Sequence, residues 1–220
     1  MQPKLSEVLR HYPWVDVCTE KRIQGVLSLL DKWNNVYNLT GLDRDLWWDS
    51  IVNESLALVN LLPVSVRTAS PQLPWMDMGT GAGIPGLIIA AALPTQSIVL
   101  VDSRQKKIDF IREACRRSDL DAVIPLCHRL ETLPSVRPEL IRGVSVFFSR
   151  ALASPDQLLR YAGPMAVSGA WLISPRAGTA HGKGIQLRMA ERSDGTGECV
   201  QITLPISARG LKCLAVRLEA

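Results

Sequence analysis

Apolar residues recur at helical spacing in the first third of the chain. After Thr19, a candidate helix cap, apolar side chains follow three or four positions apart from Ile23 to Tyr37, among charged residues. A second amphipathic run covers 45–62 and stops before Pro63. The pattern predicts two helices, and their apolar stripes are typical of faces that pack against a core.

A different pattern begins near residue 73, where β-branched runs alternate with amphipathic runs. Strand candidates joined by predicted helices at 87–93, 106–117 and 155–161 indicate an α/β fold with a doubly wound, mostly parallel sheet. The last two apolar runs are separated by a connection too short for a crossover helix, which favours an antiparallel last strand. The strand candidates after the first are 97–101, 123–127, 144–148, 170–174, 200–204 and 211–218.

The stretch 63–74 carries three prolines and several small polar residues, so it is the best candidate for a linker. We therefore expect a helical N-terminal extension over 1–72 and an α/β domain over 73–220. The hydrophobic content of 47% is ample for a core, and we expect the two parts to form one compact unit.

Composition and charge narrow the functional classes. A net charge of +4 permits an anionic partner without requiring one. No apolar run approaches the roughly 18 residues of a membrane span, and the first ten residues lack a signal-peptide pattern, so we expect a cytoplasmic protein. The five cysteines are scattered without CxxC pairing, which supports neither a disulfide framework nor a zinc site, and no metal is expected.

A glycine-dense turn follows the first strand candidate, at residues 77–86. Glycine permits positive φ and lets a ligand approach the main chain closely, and a helix start after the turn would present its amides to that ligand. Gly81, Gly83 and Gly86 satisfy the GxGxxG spacing, which a plain strand-to-helix turn also shows. The turn therefore predicts a ligand-binding loop but does not by itself specify the ligand.

Polar residues follow the next two strands at the same predicted edge of the sheet, where doubly wound folds bind ligands. Asp102 ends the second strand about twenty residues after the glycine turn, where a carboxylate can accept both hydroxyls of an adenosine ribose. Leu130 and Glu131 follow the third strand and would flank an adenine ring. A helix cap is the alternative for Asp102, and a surface position is the alternative for Glu131.

The charge of the turn favours one nucleoside over another. A dinucleotide would place its pyrophosphate on the loop, next to the carboxylate of Asp77. S-adenosylmethionine carries no phosphate, and its amino group and sulfonium are cationic, so Asp77 and the GxGxG of Gly79, Gly81 and Gly83 suit it better. The antiparallel last strand also favours a class I S-adenosylmethionine-dependent methyltransferase. A nicotinamide (NAD) dehydrogenase remains the alternative.

The turn and several blocks on either side of it resemble the RsmG (GidB) family, over most of the chain. The blocks are Trp33-Asn34, Tyr37-Asn38-Leu39-Thr40, Glu54-Ser55-Leu56, 77–86, Val101-Asp102-Ser103, Lys106-Lys107, Arg129-Leu130-Glu131 and Ser149-Arg150-Ala151. The resemblance implies methylation of a guanine N7 in 16S ribosomal RNA, with S-adenosylmethionine as cofactor. The implied partner is that RNA or the small ribosomal subunit.

The resemblance implies which residues contact the cofactor: Gly79, Ile84, Leu130, Glu131 and Arg150. Asp77, Gly81, Gly83 and Asp102 join them on the physical argument above. Arg150 ends an apolar strand, where it could pair with the cofactor carboxylate, with a substrate phosphate or with a structural acid.

The implied chemistry needs no general base, because guanine N7 carries an in-plane lone pair and alignment supplies most of the catalysis. The RNA phosphates would be engaged by lysines and arginines, each of which alone is also typical of a solvated surface. A non-catalytic cofactor-binding, RNA-associated module remains a third reading, and the sequence leaves the oligomeric state open, with a monomer favoured. The candidate cations are Lys32, Arg44, Arg150, Arg176, Lys183 and Arg209.

The chain departs from the family pattern in two places. Ser50-Ile51-Val52-Asn53 stands where members usually carry a histidine, and Pro175-Arg176 stands where they usually place Lys-Gly. Both departures bear on the predicted RNA contacts rather than on the cofactor site.

Overall fold

The computed structural model describes residues 5–68, 73–180, 198–203 and 210–218. The helices are α1 (Leu5–Leu9), α2 (Thr19–Tyr37), α3 (Glu54–Asn60), α4 (Val64–Thr68), α5 (Gly86–Ala92), α6 (Gln105–Arg117), α7 (Leu133–Val136) and α8 (Pro155–Ala162). The strands are β1 (Trp75–Met78), β2 (Ile98–Asp102), β3 (Val123–Cys127), β4 (Val144–Phe148), β5 (Ala166–Ala180), β6 (Glu198–Thr203) and β7 (Gly210–Leu218). Among these residues, no helix is long and apolar enough to cross a bilayer.

The described strands form one sheet in the order β3-β2-β1-β4-β5-β7-β6. β1 pairs in parallel with β2 and β4, and parallel pairing extends from β2 to β3 and from β4 to β5. β7 runs antiparallel to both β5 and β6. The predicted doubly wound, mostly parallel sheet with an antiparallel last strand is therefore confirmed, although β5 extends beyond the predicted 170–174 on both sides.

Side chains alternate between two cores, one on each face of the sheet. In β2, Ile98 and Leu100 join the core beneath α2, α3, α5 and α6, whereas Val99 and Val101 join the core beneath α7 and α8. Burial on both faces explains why the parallel strands read as continuous apolar runs in the sequence.

The N-terminal helices complete the first of these cores. α2 packs against α5 and α6, and α3 packs against α5. The ring of Trp33 meets that of Phe110 edge-on with centroids 5.7 Å apart, and Arg22 Nε donates to Ala91 O at 2.7 Å. The helices over 5–68 therefore share a core with the sheet, while the division into 1–72 and 73–220 stays a prediction.

The single helix predicted over 45–62 is wrong. The segment contains a 3₁₀ turn (Arg44–Leu46), a π-helical stretch (Trp48–Asn53) and then α3. The buried hydroxyl of Tyr12 donates to the backbone oxygen of Asn53 at 3.0 Å and to its Oδ1 at 2.7 Å, so a tertiary partner takes part of the local hydrogen bonding. Spacing of apolar residues does not distinguish such a stretch from an α-helix.

Two other local expectations also need correction. α2 begins at Thr19 itself with Cys18 at the cap position, and the Thr19 hydroxyl donates to Asp16 Oδ1 at 2.9 Å rather than capping the helix. The predicted linker 63–74 contains the short helix α4.

Candidate cofactor site

A cavity of about 650 Å³ lies at the carboxyl edge of the sheet. Its volume falls in the usual range of small-molecule sites, roughly 300–1,000 Å³. The loops after β1, β2, β3 and β4 meet there because parallel strands end at one edge of the sheet. Of the predicted cofactor residues, the lining includes Gly79, Gly81, Ile84, Asp102, Leu130, Glu131 and Arg150.

The loop after β1 takes the positive φ values that its glycines allow. Gly79, Gly81 and Gly83 have φ of +67°, +59° and +77°. A Cβ built on Gly81 has one protein atom within 4 Å, the oxygen of Gly79 at 4.0 Å, so the backbone there faces open space in the cavity. Gly83 does not line the cavity. The loop thus offers bare main chain to a ligand at Gly81.

Asp77 is fully buried beneath this loop and does not line the cavity. Its Oδ2 accepts from the Thr80 hydroxyl at 2.5 Å and from the Gly86 amide at 2.9 Å. Burial raises the pKa of Asp77 to about 6, although both hydrogen bonds and the charge of Arg150 oppose the rise. Asp77 therefore shapes the loop, and its predicted direct contact with the cofactor remains a prediction.

Asp102 lines the cavity at the end of β2 with 5% of its surface exposed. Its Oδ2 accepts from the Gly81 amide at 3.0 Å, and its Oδ1 accepts from the Arg104 amide at 2.9 Å. Burial alone would raise its pKa, but the hydrogen bonds and charge of Arg104 lower it below the ordinary value. α6 begins only at Gln105 with Arg104 at the cap position, so Asp102 is not the helix cap.

Leu130 and Glu131 line the cavity beside a residue that sequence reasoning missed. Tyr161, from α8, also lines it, and its hydroxyl donates to Glu131 Oε1 at 2.9 Å. Hydrogen bonds from its own backbone amide and from Tyr161 lower the pKa of Glu131. The predicted helix 155–161 contained Tyr161, but nothing in the local pattern connected it with Glu131.

Arg150 reaches the cavity from the loop after β4, where Ser149 anchors the backbone. The Ser149 hydroxyl donates to the oxygen of Met78, and its amide donates to the oxygen of Ile173, each at 3.2 Å. Arg150 Nη2 lies 3.1 Å from Oε2 of Glu54 at the start of α3. The sequence block Glu54-Ser55-Leu56 drew attention to this carboxylate, but no role was predicted for it.

Comparison with known proteins identifies the family. Residues 19–180 match the family profile of rRNA small subunit methyltransferase G. The chain belongs to this family. It is 33% identical over 161 residues to the ribosomal RNA small subunit methyltransferase G of a Psychrobacter species, covering 72% of this chain and 67% of that protein. It is also 33% identical over 168 residues to the protein of that name from Cereibacter sphaeroides, covering 74% and 75%.

Solved structures support the same fold at much lower identity. A methyltransferase from Geobacter sulfurreducens superposes with a TM-score of 0.56 at 16% identity, covering 94% of this chain and 100% of that one. A protein from Corynebacterium glutamicum superposes with a TM-score of 0.55 at 15% identity, covering 98% and 97%. These likenesses establish the methyltransferase fold, and the sequence relatives establish the family.

The segment after α2 builds one wall of the cavity in this member of the family. Asn38 takes the left-handed conformation at φ +46°, and Asn34 Oδ1 accepts from the Thr40 amide at 2.8 Å. Lys107 Nζ donates to the oxygen of Leu39. Leu39 and Thr40 consequently line the cavity. The sequence marked this segment as one of the family-like blocks, but no contact with the cofactor cavity was predicted for it.

The predicted RNA-binding cations are dispersed. Lys32 is exposed on α2, and Arg44 pairs with Asp31 while staying exposed. The backbone of Arg176 lies in β5 opposite Lys212 of β7. Lys183 and Arg209 lie outside the described residues. Of the six candidates, Arg150 lines the cavity.

The first departure from the family pattern lies in the protein core. Ser50, Ile51, Val52 and Asn53 are each at most 2% exposed. A side chain at these positions cannot reach an RNA surface without rearrangement, so this departure changes packing rather than a surface RNA contact.

Proposed function

We propose that this chain transfers the methyl group of S-adenosylmethionine to N7 of a guanine in 16S ribosomal RNA. It has the class I methyltransferase fold and belongs to the rRNA small subunit methyltransferase G family. One observation supports the cofactor assignment most directly: the open backbone of Gly81, the carboxylates of Asp102 and Glu131, and Arg150 line one cavity. The family result decides against the nicotinamide dehydrogenase.

The residues present fit the adenosyl half of this cofactor. We infer that Asp102 accepts the ribose hydroxyls. The Gly81 amide holds its Oδ2 at 3.0 Å beside the cavity, and the Arg104 guanidinium also contacts both of its oxygens, at 3.1 and 3.2 Å. Leu130 offers an apolar surface and Glu131 a carboxylate for the adenine. A site of this kind combines apolar contact with a few oriented polar groups, which set the orientation of the ligand.

The residues also fit the amino-acid half. Because Gly81 has no side chain, the methionine part of the ligand has space to lie against the loop. Arg150 brings a guanidinium to the cavity, and a guanidinium binds carboxylates through parallel charge-assisted hydrogen bonds. Asp77 supports the loop from below through Thr80 and Gly86.

The chemistry asks the protein for alignment. The bound cofactor supplies an activated methyl group, and guanine N7 presents a lone pair that needs no deprotonation. The cavity residues therefore orient the reactants, and a well-aligned pair gains a large effective concentration. We assign no general base.

We further propose that basic side chains outside the cavity hold the RNA. Lys32 and Arg44 are exposed, and Arg176 lies on the strand after the α8 segment. Binding through phosphates makes affinity fall steeply with salt, because counterions are released. Tyr37, 46% exposed with Lys106 Nζ 5.4 Å from its ring centre, offers a stacking surface for an unpaired base. We propose that the protein acts on the small subunit as a cytoplasmic monomer.

The test is methyl transfer from labelled S-adenosylmethionine to naked 16S RNA and to small ribosomal subunits that lack the modification, with mapping of the labelled nucleotide. We expect one labelled guanine, sensitive to N7-specific chain cleavage. Label at another atom or base would contradict the guanine-N7 assignment. Tight binding of S-adenosylhomocysteine without transfer to either substrate would instead support the non-catalytic module.

A further inference from the structure

The ion pair between Glu54 and Arg150 joins the N-terminal helices to the cavity. Glu54 lies at the start of α3, and its side chain is 8% exposed, whereas that of Arg150 is 25% exposed. Arg150 Nη2 and Glu54 Oε2 are 3.1 Å apart. A carboxylate that belongs to a helix packed beside the sheet thus holds a guanidinium that lines the ligand cavity.

Net stabilisation does not explain this pair well. Desolvation of two charges offsets much of their attraction, and buried ion pairs are often no better for stability than apolar side chains of similar volume. What such a pair does provide is a defined position for each charged group. Arginine suits that use because its rigid planar fork has five donors, so one edge can hold Glu54 while other donors serve a second carboxylate.

The backbone on both sides of Arg150 is fixed as well. Ser149 is tied to Met78 and to Ile173 by hydrogen bonds of 3.2 Å. Ala151, directly after Arg150, takes the left-handed conformation at φ +52°. With the backbone held, the remaining freedom of Arg150 lies in its long side chain, and the contact with Glu54 restricts the far end of that side chain.

We propose that Glu54 is a positioning residue that orients the Arg150 guanidinium toward the carboxylate of the methionine half of the cofactor, an inference that rests on the proposed function. Glu54 does not line the cavity and acts through Arg150. The N-terminal helices, which carry no other predicted cofactor residue, thereby contribute to cofactor affinity.

Two adenosyl ligands separate this role from a general structural one. S-adenosylhomocysteine carries the amino-acid carboxylate, and methylthioadenosine lacks it. By calorimetric titration we expect Glu54→Gln to weaken S-adenosylhomocysteine binding by roughly tenfold, the effect of one misaligned charge-assisted hydrogen bond. Methylthioadenosine binding should stay within about twofold of the unaltered protein, because its contacts do not involve Arg150.

A double-mutant cycle tests whether Glu54 acts through Arg150. Arg150→Met alone should weaken S-adenosylhomocysteine binding at least as much as Glu54→Gln, and adding Glu54→Gln to it should cause no further loss. Glu54→Asp, which keeps the charge and shortens its reach, should also weaken this ligand selectively. Glu113→Gln is the control, because Glu113 pairs with Arg116 and Arg117 on the surface of α6, away from the cavity.

Unchanged or tighter binding of S-adenosylhomocysteine by Glu54→Gln would overturn the inference, since Glu54 would then be a bystander or a competitor for the guanidinium. Equal loss of both ligands would overturn it too, because that is the result of general damage to the fold. The thermal midpoints of all variants are measured alongside. These titrations need no RNA, so a chain that binds the cofactor product but fails to methylate RNA would refute the proposed function and leave this inference standing.

Discussion

The carboxylate of Asp77 and the amide of Gly86 lie 2.9 Å apart and tie the end of the glycine loop to the first strand. A Cβ on Gly86 would lie 2.8 Å from Asp77 Oδ2 and would overlap the side chain of Leu100. The start of α5 therefore lies so close to β1 and β2 that only glycine fits at position 86.

Gly86→Ala should lower the free energy of unfolding by about 1–3 kcal/mol, because the added methyl group forces the helix start away from Asp77 and Leu100. Urea unfolding measures this. Gly41→Ala is the matched control: the φ of Gly41 is not positive, and apart from its chain neighbours nothing lies within 4 Å of its added Cβ. That variant should gain about 0.4–1 kcal/mol, since alanine restricts the unfolded chain. Equal effects of the two substitutions would contradict the packing account.

The raised pKa of Asp77 makes stability depend on pH. The pKa rises from 3.8 to about 6 on folding, so between these values the folded protein binds more protons than the unfolded chain does. The stabilising contribution is therefore complete below about pH 4 and is lost as the pH rises through 6. The shift corresponds to about 3 kcal/mol in the free energy of unfolding, to order of magnitude.

Asp77→Asn should remove this part of the pH dependence, because an amide can accept from Gly86 and Thr80 without titrating. The measurement is urea unfolding of both proteins at several pH values from 4 to 7. Relative to Asp77→Asn, the unaltered protein should lose up to about 3 kcal/mol of unfolding free energy as the pH rises from 4 to 7. Parallel curves would show that Asp77 titrates with an ordinary pKa.

Gly81→Leu should abolish binding of S-adenosylhomocysteine while the protein still folds. The Cβ at this position meets no atom closer than the Gly79 oxygen at 4.0 Å, apart from its chain neighbours, and Gly81 lines the cavity, so we expect the leucine side chain to occupy the ligand space. The positive φ of +59° adds about 1–2 kcal/mol of backbone strain, which lowers the unfolding midpoint modestly. Calorimetric titration and circular dichroism measure the two effects.

Arg176→Ala is the comparison for Gly81→Leu. It should keep S-adenosylhomocysteine affinity and weaken RNA methylation, with a shallower dependence of RNA binding on salt, because it removes a cation from the predicted RNA surface. Loss of cofactor affinity in both variants would show that the loop and the RNA contacts are not separate.

The parts of the site that the sequence predicted are those encoded within one strand and its following loop. Asp102 ends one apolar strand and Glu131 follows another. Parallel strands bring their carboxyl ends to one edge of the sheet, independently of the conformation of the loops. Gly81 could be recognised because closely spaced glycines after a strand indicate a loop with positive φ values or a close approach of a ligand to the backbone. For these residues, local pattern and topology together determine the position, and the structure places all three on the cavity.

Glu54 and Tyr161 could not be predicted in the same way. Each contacts a site residue that lies far away in sequence, Arg150 in one case and Glu131 in the other. Such contacts depend on how helices pack on the sheet, and apolar periodicity reports which face of a helix is buried without reporting its partner. The π-helical stretch before α3 was missed for a related reason, since its hydrogen bonding involves Tyr12, 41 residues away from Asn53.

The hydroxyl of Tyr161, 2.9 Å from Glu131 Oε1, holds that carboxylate at the predicted adenine end of the cavity. Tyr161→Phe should weaken S-adenosylhomocysteine and methylthioadenosine to the same small extent, because both ligands carry adenine and the lost hydrogen bond lies at an exposed edge of the cavity. Equal loss distinguishes this variant from Glu54→Gln, which should affect only the ligand with a carboxylate. Tyr37→Phe removes a tyrosine hydroxyl outside the cavity and should bind both ligands normally. If Tyr161→Phe also bound both normally, Glu131 would not need Tyr161 for its position.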